Sequence, residues 1–107
     1  MAAIDLSSTN VYPVQSRDTL SAVVDTMQEY LIPAGARKIS ILFESNAAKF
    51  IAQGGTDGGV IAAENYLKIP ADTLYFHNVP QAKRAHSIWV APTTGSTVVT
   101  IQIDEEV

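Results

Sequence analysis

The segment from Ile32 to Phe43 constrains the fold more than any other part of the chain. It reads Ile-Pro-Ala-Gly-Ala-Arg-Lys-Ile-Ser-Ile-Leu-Phe. Pro33 has φ fixed for a turn and no N–H to leave unpaired, and Gly35 can adopt a positive φ. From Ile39 onwards the residues alternate as in a strand with one buried and one solvated face. The segment therefore predicts a strand end, a tight turn and a new strand.

Similar short patterns recur along the chain, including a second proline corner at Ile69-Pro70-Ala71-Asp72. We expect 37–44 to form a hairpin with 49–53, because a turn-forming Ser45-Asn46 pair precedes the second segment. The predicted strands are 11–14, 19–24, 27–32, 37–44, 49–53, 66–69, 73–77, 85–91 and 97–103. This pattern predicts an all-β protein, a single-domain β-sandwich or jelly roll of about eight short strands.

Residues 18–31 are compatible with two structures. Apolar residues from Leu20 to Leu31 fall at helical spacing, and Asp18 could cap the N-terminus of a helix. The same stretch is rich in β-branched and aromatic residues, and it runs directly into Pro33 as a strand would. We therefore favour two short strands, 19–24 and 27–32, over a helix.

The chain has 107 residues, which indicates one domain with one modest core. Residues 1–10 are small, polar and weakly patterned, so we interpret them as an extended N-terminal arm that could lie over a neighbouring subunit. Residues 11–107 form the β-sandwich domain. Pro13 suits an edge strand, because it cannot donate to a hydrogen-bond ladder.

Charge and cysteine content argue against several classes of partner. The net charge is −4, and the seven Lys and Arg are scattered except for Arg37-Lys38 and Lys83-Arg84, so we expect no binding to nucleic acid or to anionic membranes. Cysteine is absent, which removes disulfides and thiolate chemistry. The N-terminus does not resemble a signal peptide, and we expect a protein kept in a cytoplasm. Only 17% of residues are charged, which suits packing against other protein subunits.

Catalytic and metal-binding patterns are weak. His77 and His86 could approach each other if 73–77 and 86–90 pair as a hairpin, but no zinc-type spacing accompanies them. The glycine-rich stretch 54–59 lacks the Lys-Ser/Thr pair and the following helix of a phosphate-binding loop. No serine lies in a Gly-x-Ser-x-Gly turn. We therefore expect neither an enzyme nor a bound metal or cofactor, and we interpret 54–59 as a surface loop that orders at a subunit contact.

Three stretches together resemble small β-sandwich virion proteins of tailed bacteriophages, and most closely capsid decoration or cement proteins. They are the corner Tyr30–Ile41, the hairpin segment through Phe50, and the final pair Ile88–Thr93 and Thr97–Ile101. The resemblance implies a structural protein on the capsid surface, assembled in the host cytoplasm. Its partner would be the major capsid protein, it would be a homo-oligomer, often a trimer, and it would carry no catalytic residues.

We expect the contacts with other subunits to come from residues 1–16 and 54–65 and from one aromatic side chain. The candidate contact residues are Ile4, Leu6, Val11, Tyr12, Thr56, Asp57 and Trp89. One alternative is a tail or head-to-tail component with the same fold. An alternative of another class is a carbohydrate-binding β-sandwich module with Trp89, Tyr75 and Tyr66 as stacking platforms.

Overall fold

The computed structural model describes residues 2–7, 13–61, 66–78, 85–95 and 97–104. In these ranges the regular structure is entirely β, which confirms the predicted all-β class. The strands are β1 (Ile4–Asp5), β2 (Val14–Thr19), β3 (Gln28–Ile32), β4 (Lys38–Glu44), β5 (Ala48–Ile51), β6 (Leu67–Ile69), β7 (Leu74–Asn78), β8 (His86–Pro92) and β9 (Val98–Asp104).

The strands form two sheets with jelly-roll connectivity. One sheet has the order β2-β9-β4-β7, and the other has the order β1-β3-β8-β5-β6. Every pairing among β2 to β9 is antiparallel, and β1 adds to the edge of β3 in parallel. Most successive strands cross from one sheet to the other, which is the double Greek-key arrangement of a jelly roll.

The core lies between the inner faces of the two sheets. The four-stranded sheet contributes alternate residues of β4 and β9, and the five-stranded sheet contributes alternate residues of β3 and β8. The fully buried members include Ile39, Ile41, Phe43, Val99, Ile101, Ile103, Tyr30, Ile32, Ile88 and Val90. The Tyr30 hydroxyl donates to Asp18 Oδ2 at 2.8 Å, so this buried phenol keeps a partner.

The proline corner is present as the sequence predicts. β3 ends at Ile32, Gly35 has φ of 87°, and the Ala36 amide donates to the Pro33 carbonyl at 3.4 Å. β4 then begins at Lys38 on the other sheet. A glycine suits this position because a Cβ is strained at such a φ.

The predicted hairpin of 37–44 with 49–53 is wrong. β4 pairs with β7 and β9, whereas β5 pairs with β6 and β8 in the opposite sheet. In the same way, β7 pairs with β4 while β8 lies between β3 and β5. The short turn after Glu44 leads the chain to the opposite sheet instead of back along the same sheet. In this arrangement β4 and β5 each place one apolar face in the shared core.

The strand predicted at 19–24 is also wrong, and so is the helical alternative. β2 ends at Thr19, and the chain then bends through Val23 and Val24 to Asp25, which has φ of 66°. This segment must cross from one sheet to the other, so its amides bond locally or to distant carbonyls. The Asp25 amide, for example, donates to the Pro92 carbonyl at 2.9 Å. The strand predicted at 27–32 corresponds to β3.

Part of the predicted N-terminal arm packs on its own domain. β1 pairs with β3, and the Leu6 amide donates to the Leu31 carbonyl at 2.9 Å. Ile4 and Leu6 are half-buried against the main core. These two residues of the predicted arm are therefore held against their own domain.

Candidate functional site

Residues 52–61, which follow β5, lie over part of the outer face of the five-stranded sheet. Trp89 points away from the core on β8, and Gly55 lies against its indole ring. A Cβ added to Gly55 would fall 2.4 Å from ring carbons of Trp89. The loop completes a second apolar cluster, which contains Met27, Ile61 and Ala91 with Ile51, Tyr66 and Trp89 at its edge. The glycine-rich stretch therefore provides the close approach that lets backbone cover an aromatic ring.

Backbone hydrogen bonds hold this loop against the turn between β2 and β3. The Met27 amide donates to the Gly59 carbonyl, and the Gly58 amide donates to the Met27 carbonyl, both at 2.8 Å. The Ile61 amide donates to the Asp25 carbonyl at 2.9 Å. A bridge between Thr26 and Val60 adds to these bonds. The two loops thus form one fixed unit at one end of the sandwich.

An ion pair lies beside the same unit. Lys49 Nζ donates to Asp25 Oδ1 at 2.8 Å, and the same nitrogen lies 4.5 Å from the ring centroid of Tyr66. The Lys49 side chain is only 16% exposed, so it sits under the loop rather than in open solvent. The pair therefore belongs to the attachment of the loop to the sheet.

The candidate contact residues do not gather at one place. Thr56 is exposed on the covering loop, whereas Asp57 accepts a hydrogen bond from the Glu29 amide at 3.0 Å. Trp89 is half-buried beneath the loop. Ile4 and Leu6 lie at the β1 edge, as described above, and Val11 and Tyr12 lie outside the described residues. Among the candidates that lie in the described ranges, Thr56 is the one classed as exposed.

The fixed loop unit presents three exposed valines that the sequence did not indicate. Val23 is 66% exposed, Val24 46% and Val60 75%. We name these three residues the valine tip. Because 19–24 was assigned to a strand, the exposure of Val23 and Val24 was not predicted. A better indication lay in the turn-forming Ser21 and Asp25 that flank them, since Ser21 Oγ accepts a bond from the Val23 amide at 3.1 Å.

The outer face of the four-stranded sheet has no such covering loop among the described residues. Leu74 and Phe76 on β7 are 52% and 46% exposed, and a shallow groove of about 330 Å³ runs beside them over Leu42 and Thr100. Lys38 Nζ lies 4.6 Å from the centroid of the Phe76 ring. Within the described ranges, the two sheets therefore differ in that chain segments lie over one outer face and not over the other.

An aromatic cleft opens at the edge of the sandwich between β5 and β7. Its volume is about 390 Å³, and its lining includes Phe50, Tyr66, Leu67, Tyr75 and His77. The rings of Phe50 and Tyr75 have centroids 5.7 Å apart, and those of Phe50 and His77 are 5.2 Å apart. The cleft thus brings together two of the three aromatic residues predicted as stacking platforms, and Trp89 is not among them.

His86 influences the protonation of His77, although no hairpin joins their strands. Burial lowers the pKa of His77, and the nearby His86 lowers it further. His86 Nε2 is buried with no hydrogen-bond partner among the described residues. The described residues contain no cluster of three or more His, Asp or Glu side chains suited to a metal ion.

A search for membrane-spanning helices in the described part of the chain finds none of sufficient length and apolarity. No protein family, curated protein or solved structure matches the chain. The features that bear on function are therefore the valine tip, the open outer face of the four-stranded sheet and the aromatic edge cleft.

Proposed function

We propose that this chain is a non-enzymatic structural protein of a phage particle, which binds the outer surface of the capsid and stabilises the head. The resemblance of its corner and strand patterns to decoration proteins suggests the particle. The observation that best supports a binding role is the valine tip, which exposes apolar side chains on a fixed backbone. Scattered exposed apolar residues are ordinary, but three on two loops that are hydrogen-bonded to each other are suited to protein contact.

Binding through this tip would stabilise a shell by adding many small contacts. Covering the exposed part of each valine contributes on the order of 1 kcal/mol. The loops are already held by the bonds between Met27, Gly58 and Gly59, so little ordering entropy opposes binding. A subunit that contacts neighbouring capsomers adds buried area that is lost only when the shell opens.

The test is co-sedimentation with undecorated phage capsids. We expect saturable binding by the wild-type chain and a loss of affinity of about tenfold or more in the double variant Val23→Ser, Val60→Ser. Leu67→Ser is the matched control, because it removes a similarly exposed apolar side chain at the edge cleft. Absence of the wild-type chain from the capsid pellet would contradict the proposal. Equal losses in the tip and control variants would contradict the role of the tip.

A second candidate function, glycan binding, is favoured by the edge cleft. The cleft is wide and open, and Tyr66, Tyr75 and Phe50 line it with aromatic surface. Calorimetric titration of the isolated chain with oligosaccharides distinguishes the two functions. A decoration protein should give no heat of binding, whereas a glycan-binding module should bind, and Tyr66→Ser should then weaken the binding.

A further inference from the structure

The open outer face of the four-stranded sheet has opposite charges at its two ends. Along β4, the residues that line this face are Lys38, Ser40, Leu42 and Glu44, because the alternate residues are buried in the core. The two charged residues are six positions apart, which is about 20 Å in a strand. Between them lie only a hydroxyl and an apolar side chain, so the ends of the face differ in charge while its middle is neutral.

The neighbouring strands repeat this charge pattern in reverse order. At one end Asp104 on β9 pairs in register with Lys38 on β4. At the other end Arg17 reaches from β2 across β9, and its Nη2 donates to Glu44 Oε2 at 2.7 Å. At the Lys38 end of the face, the charge is therefore basic over β4 and acidic over β9. At the Glu44 end, it is acidic over β4 and basic over β9.

We propose that this face binds the same face of a second copy of the chain, about a two-fold axis that lies between the sheets and perpendicular to the strands. Such a rotation places Lys38 of each copy against Glu44 of the other. It also places Asp104 near Arg17 of the second copy. On β7 it brings Leu74 over Phe76 of the second copy, because these two residues lie one step on either side of the axis.

The contact is isologous, so each pair of unlike charges occurs twice and the assembly closes at two copies. Face-to-face sheets pack about 10 Å apart with strands nearly aligned, which this axis allows. The five-stranded sheet does not offer an equivalent flat face, because the loop lies over Trp89 near its middle. The assembly expected from this face is therefore a dimer and not the trimer that the phage resemblance implies.

The size of the face predicts that the dimer is weak. Four strands about 4.8 Å apart, each with about 24 Å of length, give a footprint of roughly 450 Å² per copy. Stable complexes commonly bury about 800 Å² per partner. We therefore expect a dissociation constant in the micromolar range or weaker, and a dimer fraction that rises with protein concentration.

Exchanging the charges tests the proposed axis. In Lys38→Glu alone, and in Glu44→Lys alone, two like-charged pairs face each other across the axis, so we expect each variant to dimerise at least about tenfold more weakly than wild type. An equimolar mixture of the two variants should recover dimers. In a mixed dimer, one copy is acidic at positions 38 and 44 and the other is basic at both, so every facing pair has unlike charges. Lys68→Glu is the matched control, since it makes the same charge change on an exposed residue of the other sheet.

Sedimentation velocity over a concentration series measures the dimer fraction, and native mass spectrometry identifies the mixed dimer. Circular dichroism checks that each variant is folded. The proposal fails if the wild-type chain is monomeric up to about 1 mM, or if it forms a trimer. It also fails if the single variants dimerise as wild type does, or if the mixture forms no mixed dimer. None of these outcomes depends on capsid binding, because the experiment uses the isolated chain.

Discussion

At the scale of single residues, Gly55 is the residue that allows the loop to cover Trp89. No other residue type fits, because a Cβ at this position would lie 2.4 Å from the indole ring. The covering loop in turn positions Val60 beside the β2–β3 turn through the Thr26 bridge. A contact between one glycine and one aromatic ring thus contributes to the shape of the surface proposed for capsid binding.

We expect Gly55→Ala to lower the free energy of unfolding by about 1–3 kcal/mol, because the ring or the loop must shift to make room. Urea denaturation followed by circular dichroism measures the change. Gly95→Ala is the control, since a Cβ at Gly95 meets only the Ala22 carbonyl oxygen at 3.7 Å. In a Trp89→Ala background the cost of Gly55→Ala should largely disappear. Additive effects of the two substitutions would show that the clash is not the cause.

His77 gives the domain a pH dependence whose sign follows from its environment. Its pKa in the folded chain lies below the ordinary 6.5, first because of burial and then because of His86. The unfolded chain therefore binds a proton at higher pH than the folded chain does. Stability should be constant well above this ordinary pKa, and should fall as the pH drops from there through the lower folded pKa.

The measurement is the free energy of unfolding at about pH 7.5 and about pH 5.5 in wild type and in His77→Gln. We expect the loss of stability between the two pH values to be smaller in the variant. His86→Gln should also reduce the loss, because it removes the neighbouring charge that opposes protonation of His77. If the loss were the same in all three proteins, His77 would not be its source.

At the scale of the elements, β1 converts part of the N-terminal arm into the edge of the five-stranded sheet. Two residues are a short strand, and the pairing depends on the apolar contacts of Ile4 and Leu6 as well as on its few hydrogen bonds. The arm therefore contributes to the fold through β1, and this contribution can be measured separately from the proposed contact with a capsid.

We expect the double variant Ile4→Ala, Leu6→Ala to lower the free energy of unfolding by about 2 kcal/mol, since both side chains are half-buried. Ala3→Ser, at an exposed position beside them, should have no measurable effect. Thermal and urea unfolding provide the measurement. If the double variant is as stable as wild type, the packing of β1 contributes nothing, and the arm remains available for contacts between subunits.

Alternation of apolar residues was sufficient to predict most strands, as β3, β4 and β9 show. Alternation was insufficient at 19–24. Val23 and Val24 are typical strand residues, but among the described residues they pair with no strand. Alternation also could not assign the partners of β5 or β7. Register and pairing depend on which faces must meet in the core, and a short turn such as Ser45-Asn46 serves a sheet crossing as well as a hairpin.

At the scale of the whole molecule, the jelly roll makes the two sheets one cooperative unit. β9 lies between β2 and β4 in the four-stranded sheet, and its inner residues contact the core that the other sheet shares. Trp89 lies on the five-stranded sheet and is the only tryptophan in the sequence. Its fluorescence therefore reports on the sheet opposite to β9.

We expect Ile101→Ala to lower the free energy of unfolding by about 2–5 kcal/mol, because it opens a cavity in the shared core. The shift of the urea midpoint should be the same by Trp89 fluorescence and by circular dichroism, since one core stabilises both sheets. Gln102→Ala changes the next residue, which faces outward, and should have little effect. Different midpoints from the two probes would show that the sheets unfold separately.

Local patterns in the chain were enough to predict the β class, the proline corner and the position of most strands, because these depend on local φ preferences and on which residues alternate in polarity. The tertiary structure decided the pairing of the strands, the covering of Trp89, the valine tip and the charge pattern of the open face. These features join residues far apart in the chain, such as Arg17 with Glu44 or Thr26 with Val60. Such contacts form only when strands and loops that are distant in the chain come together in the fold, and no local pattern encodes which distant residues will then be neighbours.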